Sequence, residues 1–242
     1  MGARSRLAPD EKKPLGAALE VAEEVDVAIR HACFVSYCHG QGELMQRFVG
    51  ELVQALVSSI EPYVDVTGGP AELVYHDAQR LRPGYLYNEA LAEAICQSVC
   101  MVAVFVPKYL DHEYCRRELE AMKRVEGERR RILGPAAPRH HGYIIPVVLR
   151  GEVKDLPPAI KGHVHCCDFS GFTTADIRLA RQRRCMKEIE KIAKFVHELH
   201  RDVESMTLDC STFTLPPASE SSSWQPPAPS NSNPQPLREA GR

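Results

Sequence analysis

The sequence predicts an α/β fold built on a five-stranded parallel sheet with helices on both faces. Five short apolar runs alternate along the chain with segments whose apolar residues recur at three and four places, as on the buried face of a helix. One run, 99–106, is apolar at every position and stops at Pro107, which is typical of a central parallel strand. Because parallel neighbours need crossover connections, this alternation indicates helices on both sides of one sheet.

The first half of the pattern places two strands before the central one. Residues 33–37 form the first apolar run and end at a turn-forming stretch. A second strand at 73–75 leads into a polar loop, 78–87, and then into a short helix that Asn88 is expected to cap. Between the two strands, the helix predicted at 43–60 has one apolar stripe, formed by Met45, Phe48, Val49, Leu52, Val53 and Leu56.

The second half of the pattern supplies the remaining elements. A charged helix is predicted at 114–132, after the central strand. Strands follow at 143–149 and 163–169, although Pro146 weakens the first of them because proline cannot donate to a ladder. The last helix is predicted at 175–203, with helical spacing of Ile189, Ile192, Val196, Leu199 and Val203.

Composition divides the chain into three parts. A length of 242 residues, 44% of them hydrophobic, fits one ordinary domain with an unstructured extension. We place the domain at 28–205, after a charged and partly disordered leader at 1–27. Residues 206–242 are rich in Ser and Pro and are predicted to be disordered. Pro226 and Pro229 have the PxxP spacing that SH3-type grooves bind, but a spacer is the more ordinary role.

Charge and cysteine content argue against several classes of protein. A formal net charge of −2 and a pI of about 6.6 argue against nucleic acid as a partner. No apolar run reaches the ~18 residues of a membrane span, and the start lacks the apolar core of a signal peptide, so no membrane association is expected. The nine cysteines show no C-x-x-C spacing, and we interpret them as reduced thiols of a cytoplasmic protein.

Several of these stretches resemble the Toll/interleukin-1 receptor (TIR) domain family. Residues 34–37, FVSY, resemble the family's first-strand box, and 77–84, ending in LRPG, resemble its BB loop. Residues 91–98 resemble its second helix, 102–106 its third strand, and 114–119, YCRREL, its W/Y-C-x-x-E-L segment. Because these stretches follow one another in the family's order, the resemblance implies a TIR fold, which is flavodoxin-like.

The resemblance also implies a signalling module that associates with itself and with other TIR domains. Such association would use the neighbouring helices and the BB loop, here Arg80, Leu81, Arg82, Pro83, Gly84 and Tyr85. A subset of the family also cleaves NAD+. Two functions therefore stay open: a signalling or defence protein, as in innate immunity, that is also an NAD+ hydrolase, and a purely non-catalytic adaptor. The fold alone does not decide between them.

A carboxylate at the start of the second helix carries the enzymatic hypothesis. Cleavage of the nicotinamide–ribose bond leaves an oxocarbenium-like sugar, which a nearby carboxylate stabilises. The resemblance implies that this group stands a few residues before the small-x-x-Ser segment, where Glu89 lies, with Glu93 as the second candidate. An acidic residue in the first turn also complements the helix macrodipole, so a structural Glu89 is the alternative.

The remaining NAD+ contacts are expected where the first two strands end. Sheets of flavodoxin-like order bind ligands beyond the carboxyl ends of strands one and three. We expect NAD+, as a substrate and not a cofactor, to contact Tyr37, Cys38, His39, Asp77 and Tyr85. The two tyrosines would stack on or shape the nucleotide, while His39 and Asp77 would contact ribose or phosphate. Some family members have basic residues at the positions of Cys38 and His39.

Two further groups of residues receive a structural interpretation. Cys115 and Glu118 fit a buried thiol and an ordinary acid near a helix start. The basic stretch at 124–141 could dock an acidic partner or a phosphate, but a solvated helix end is the more ordinary interpretation. Its members are Arg124, Arg129, Arg130, Arg131, Arg139, His140 and His141.

A short run near the fifth strand offers possible zinc ligands. His163, His165 and Cys167 alternate along the chain, so they would face one side of a strand. Because a parallel strand is covered on both faces, packing is the favoured explanation. We therefore predict no metal site.

Overall fold

The computed structural model describes residues 29–40, 42–67, 69–76, 87–152, 156, 160, 165–172 and 178–217. Its strands are β1 (His31–Ser36), β2 (Val74–Tyr75), β3 (Ser98–Phe105), β4 (Ile144–Val148) and β5 (Cys167–Asp168). The α-helices of this part of the chain are α1 (Gly42–Ile60), α2 (Tyr87–Cys96), α3 (Glu113–Leu133) and α4 (Arg183–Val203). Strands therefore alternate with helices as the sequence predicts.

The five strands form one parallel sheet in the order β2-β1-β3-β4-β5. This is the flavodoxin-like order, in which the chain winds outward from β1 in both directions. Helix α1 packs against α4, and α2 packs against α3, so the helices form two pairs. The predicted α/β fold is confirmed.

The central strand is β3, and all eight of its residues are buried. It pairs with β1 on one side and with β4 on the other, which explains why its sequence is continuously apolar. The neighbouring strand β4 forms despite Pro146, which lies opposite Ala103. Strand β5 pairs with β4 at Val147 and Val148, just beyond the proline.

The two long helices of one pair cover the sheet with the faces that their sequences predict. In α1 the buried residues are Met45, Phe48, Val49, Leu52, Leu56 and Ile60, whereas Val53 of the predicted stripe is half-buried at the edge of the core. In α4 every residue of the predicted stripe is buried, and Cys185 and Ala193 extend the stripe. The apolar contacts of these two faces form much of the hydrophobic core.

Two helix starts differ from the sequence-based prediction. Helix α2 begins at Tyr87, so Asn88 lies in its first turn and not at its cap. Helix α4 begins at Arg183, eight residues after the predicted start. Before it, the buried Leu179 belongs to a short 3-10 turn and donates its backbone N–H to the Glu51 carboxylate at 3.1 Å. This contact ties the turn before α4 to α1.

One arginine of α3 lies inside the protein. Arg129 is 1% exposed, and its guanidinium donates hydrogen bonds to the carbonyl oxygens of Val99 at 2.6 Å, Ser98 at 2.7 Å and Cys96 at 3.2 Å. It also lies 5.2 Å from the ring centre of Tyr143. Burial lowers the pKa of Arg129 to about 10, so the side chain stays charged at neutral pH. The guanidinium thus satisfies the carbonyls where α2 ends and β3 begins.

A disulfide joins Cys96 to Cys210, across 114 residues of sequence. The expectation that all nine cysteines are reduced is wrong for this pair, because spacing along the chain does not show which distant cysteines meet in the fold. The other seven cysteines are free thiols. Disulfides are favoured in oxidising compartments, so the cysteines no longer support the prediction of a reducing one.

Packed structure continues beyond residue 205, although the composition predicts that the disordered tail begins at residue 206. Within 206–217, Cys210 and Leu215 are buried. The Pro216 carbonyl accepts a hydrogen bond of 2.7 Å from Nε of Arg117. Residues 1–28, which include the predicted leader 1–27, and residues 218–242 lie outside the described residues. Among the helices of the described ranges, none combines the length and apolar character needed to cross a bilayer.

Replacing Cys210 with serine should destabilise the domain when the native chain is oxidised. The bridge closes a long loop of the unfolded chain, and a bridge of this kind contributes about 2–4 kcal/mol. Urea unfolding without reductant should therefore show a lower midpoint for Cys210→Ser, and dithiothreitol should lower the native midpoint towards that of the variant. Cys166→Ser, which changes a free thiol, is the matched control. Equal midpoints of the native chain and Cys210→Ser without reductant would show that the bridge does not stabilise the fold.

Candidate functional site

The candidate site lies where β1 and β3 end beside each other. The order of the sheet reverses between these strands, since β2 lies beyond β1 and β4 lies beyond β3. In such sheets the crevice outside the carboxyl ends is the usual ligand site. The chain leaves β1 after Ser36 and β3 after Phe105, so the residues that follow these two positions surround the crevice.

The three predicted NAD+ contacts that follow β1 differ in exposure. Tyr37 is 6% exposed and Cys38 is fully buried, so both belong to the hydrophobic core. His39 is exposed, and its ring lies 4.3 Å from that of Tyr37, measured between centroids. Of these three side chains, His39 is the exposed one at this edge of the sheet.

A buried polar centre lies directly beneath this edge of the sheet. The Ser36 hydroxyl donates to Oε2 of Glu118 at 2.5 Å and lies 2.6 Å from the hydroxyl of Tyr109. All three residues are buried. They come from β1, α3 and the turn after β3, so the centre joins the elements that surround the crevice.

The direction of the hydrogen bonds in this centre follows from the number of protons. A serine hydroxyl has one proton, and Ser36 uses it to reach Glu118. Tyr109 must then donate to Ser36. Burial raises the pKa of Tyr109 well above its usual value, and the nearby Cys115 and Glu118 raise it further, which keeps the phenol protonated for this role.

Sequence reasoning did not connect these residues. It assigned Glu118 to an ordinary helix start and treated Ser36 only as part of the first-strand box. The available signal was a hydroxyl residue at the end of an otherwise apolar strand, followed far along the chain by an acid on an amphipathic helix.

Two thiols pack beside the polar centre. The Sγ atoms of Cys38 and Cys115 are 4.0 Å apart, and the Cys115 thiol also lies 3.5 Å from the Tyr37 carbonyl oxygen. The hydrogen bond from Cys115 lowers the pKa of Cys38, while burial and Asp111 oppose that shift. Both thiols are buried, and they link the start of α3 to the end of β1.

The candidate catalytic carboxylate has a different environment. Glu89 lies in the first turn of α2 and is exposed. Glu93 follows one turn later, is also exposed, and accepts a hydrogen bond of 3.0 Å from the side-chain amide of Gln97. Glu93 is therefore engaged with its own helix, whereas the Glu89 side chain faces solvent near the helix start.

Aromatic contacts fix the start of α2 against α3. Tyr87 meets Tyr114 edge to face, with ring centroids 5.1 Å apart. The Arg117 guanidinium lies 5.2 Å from the Tyr114 ring centre. Because Glu89 is two residues from Tyr87, these contacts set the position of its backbone relative to the crevice.

Several predicted site residues lie outside the described residues. They are the expected NAD+ contacts Asp77 and Tyr85, the BB-loop residues Arg80, Leu81, Arg82, Pro83 and Gly84, and His163. Of the three possible zinc ligands for which packing was the favoured explanation, His165 and Cys167 both line a cavity beside α4. Burial raises the pKa of Cys167 to about 12. Within the described ranges, no three His, Cys, Asp or Glu side chains are arranged to hold a metal ion.

The basic stretch separates into three environments instead of forming one solvated helix end. Arg129 is buried, as described above. Arg124 and Arg131 line a groove of about 700 Å³ between α3 and the segment 207–214. The remaining members lie around the loop that leads to β4, where they line two further cavities: Arg130, Arg139, His140 and His141.

Comparison with known proteins identifies the family of this fold. The family model described as TIR domain matches residues 33–185. Among solved structures, the chain is similar to the TIR domains of the activated Roq1 resistosome that directly recognises the pathogen effector XopQ. The identity is 20%, the match covers 67% of this chain and 82% of that chain, and the TM-score is 0.35. No curated protein matches the chain.

The polar centre generates a prediction about stability. Ser36→Ala should remove the donor to Glu118 and the acceptor of Tyr109 together, whereas Tyr109→Phe should remove a single donor. We expect a loss of about 1 kcal/mol for Tyr109→Phe and a larger loss, about 2–3 kcal/mol, for Ser36→Ala. Urea unfolding of both variants measures the difference. A larger loss in Tyr109→Phe would contradict the placement of Ser36 as the group that joins Tyr109 to Glu118.

Proposed function

Because the chain belongs to the TIR domain family, we propose that it acts in intracellular signalling or defence through association of TIR domains and that it hydrolyses NAD+. The observation that carries the proposal is the family match over residues 33–185 on a sheet whose order creates a ligand crevice between β1 and β3. Association would involve a second copy of the chain or another TIR domain, with the BB loop, 80–85, as the contact surface.

The exposed carboxylate of Glu89 supports the enzymatic part of the proposal. Cleavage of the nicotinamide–ribose bond expels a neutral pyridine and leaves positive charge on the sugar. A carboxylate that is open to a ligand and fixed at its backbone stabilises this charge without reorganising. Glu89 meets both requirements through its exposure and the contact of Tyr87 with Tyr114. Glu118 is buried and bonded to Ser36, so it suits a supporting role.

The structure changes how the other proposed contacts would act. His39 is open to a ligand and would contact ribose or phosphate, as the sequence indicates. Tyr37 and Cys38 are buried, so they would support His39 and the crevice from behind instead of enclosing the nucleotide. Asp77 and Tyr85 remain proposed contacts. NAD+ is a substrate in this proposal, and no cofactor is required.

The second candidate is a non-catalytic adaptor. Two observations favour it: Glu89 lies in a first helical turn, where an acid stabilises the macrodipole without any chemistry, and two of the five proposed NAD+ contacts are buried. This candidate keeps the association of TIR domains and omits turnover. It predicts that changes at Glu89 affect neither association nor signalling.

Turnover should depend on one glutamate. With the full chain at several concentrations, we expect release of nicotinamide from NAD+ that increases with association and falls by about 100-fold or more in Glu89→Gln. Glu93→Gln is the matched control, because it changes an exposed glutamate one turn further along α2. Release can be followed by chromatography, and association by light scattering.

The same experiment separates the two candidates. An equal loss of nicotinamide release in Glu89→Gln and Glu93→Gln would show that turnover does not depend on Glu89 alone. A native chain that associates but releases no nicotinamide at any concentration would contradict the hydrolase and leave the adaptor. Association that is unchanged in Glu89→Gln shows that the substitution acts on chemistry and not on assembly.

A further inference from the structure

The segment 206–217, here called the carboxyl-terminal strap, lies along α3 without belonging to the sheet or to a helix. It follows α4 and passes the end of α2, where Cys210 is bonded to Cys96. It then reaches the beginning of α3, where Pro216 accepts the hydrogen bond from Arg117. Between these two points the strap forms one wall of the groove of about 700 Å³ beside α3. The strap therefore has one covalent and one noncovalent anchor.

The noncovalent attachment of the strap is slight. Among the described residues, the bond from Arg117 to Pro216 is the single hydrogen bond that joins 207–217 to another element, since the others stay within the strap. Leu215 is buried and Phe213 is half-buried against the core, which adds some apolar contact. A segment with so few bonds to its surroundings opens locally at a small cost in free energy once its covalent anchor is gone.

The other partner of the bridge is fixed without the disulfide. Cys96 is the last residue of α2, and its carbonyl oxygen accepts a hydrogen bond of 3.2 Å from the buried Arg129. Two residues earlier, the carbonyl oxygen of Ala94 accepts from the hydroxyl of Ser98 at 2.7 Å. Cleavage of the disulfide therefore leaves the end of α2 in place and frees the strap.

The bridge is the exception among the cysteines of this chain. The other seven are free thiols, including Cys38 and Cys115, whose sulfur atoms are 4.0 Å apart. The dense disulfide frameworks of small secreted domains are different, whereas bridges in proteins that otherwise keep their thiols reduced are usually redox-sensing or catalytic. The inventory of thiols thus favours a reversible bond.

The bridge borders the groove beside α3, from which a reductant approaches it. Cys96 is one of the residues that line this groove, and strap residues 207–209 form part of the opposite wall. While the strap is closed, Cys96 is 1% exposed and Cys210 is 4% exposed. Attack on a sulfur atom therefore requires the strap to move away from α3 first. The rate of reduction consequently measures how firmly the strap is held.

From these observations we propose that the bridge between Cys96 and Cys210 is a reversible redox site and that its reduction by a dithiol releases the strap from α3. A thiolate of the dithiol attacks Sγ of Cys210, the S–S bond breaks, and Cys96 leaves as a thiolate that takes up a proton. The second thiol of the dithiol then attacks the dithiol's own sulfur in the mixed disulfide and expels Cys210, which is protonated in turn. The dithiol is oxidised to a disulfide, and the protein gains two electrons and two protons. Release of the strap uncovers the wall of the groove that Val125 and Ile132 form.

Hydrogen exchange of the full chain, before and after dithiothreitol, tests the release. After reduction in native buffer, alkylation and mass spectrometry should find nine free cysteines in place of seven. Amides within 207–215 should then exchange within about tenfold of the rate of an unstructured peptide, while those of β3 and α4 stay protected over the same period. Cys210→Ser should behave like the reduced chain without any reductant, and Cys166→Ser, which changes a free thiol, should behave like the native chain. Reoxidation with an oxidised dithiol should restore the protection.

The noncovalent anchor supplies a second test that keeps the disulfide. Arg117→Gln removes the hydrogen bond to Pro216, so the strap of the oxidised chain opens more often. We expect dithiothreitol to reduce the bridge of this variant about fivefold faster than that of the native chain. Arg47→Gln, which changes an exposed arginine of α1, is the matched control and should be reduced at the native rate. Equal rates in Arg117→Gln and the native chain would contradict the role of the strap as the barrier to attack.

Three results would overturn the proposal. The first is a bridge that dithiothreitol reduces only in denaturant, which would make it a permanent structural bond. The second is complete reduction with unchanged protection within 207–215, which would show that apolar packing alone holds the strap. The third is a loss of protection that extends equally to β3 and α4, which would show that the bridge holds the whole domain and not the strap.

Discussion

The guanidinium of Arg129 organises the junction on which the rest of the structure depends. At this junction α2 ends and the central strand begins, and the backbone carbonyls of Cys96, Ser98 and Val99 there need hydrogen-bond donors from another element. Arg129 donates to three of them and stacks near Tyr143, at the start of β4. Each buried acceptor without a donor would cost about 1–3 kcal/mol. The helix that carries Glu89 is thereby fixed at its far end.

A second group of buried hydrogen bonds supports the candidate site at the ends of β1 and β3. Ser36, Tyr109 and Glu118 join β1, the turn after β3 and α3 beneath the crevice. Burial of these three polar groups is costly unless each has a hydrogen-bond partner. Here Tyr109 donates to Ser36 and Ser36 donates to Glu118, so each hydroxyl proton has an acceptor. His39 and Glu89 are exposed and stand outside the hydrogen bonds of this centre, so their chemistry can vary without disturbing it. Function in such folds depends on the residues of the site and not on the scaffold.

Periodicity was enough to predict the sheet and most helix faces, because these depend on burial patterns within short segments. The continuously apolar β3 and the stripes of α1 and α4 are examples. Contacts between distant segments were not predictable in this way. Arg129 stands in a run of three arginines, but helical geometry turns each by about 100°, so only one of them points inward. Likewise, Tyr37 and Cys38 follow a strand end, yet both face the core.

The bridge between Cys96 and Cys210 has a consequence for a cut or stretched chain. It closes a covalent ring that contains β3, α3, β4, β5 and α4. A protease that cuts the loop at 137–142 leaves both fragments joined as one molecule. When the carboxyl terminus is pulled, the disulfide transmits the force from Cys210 directly to Cys96 at the end of α2. The force does not run along α4, so the ring resists unravelling from the carboxyl-terminal side.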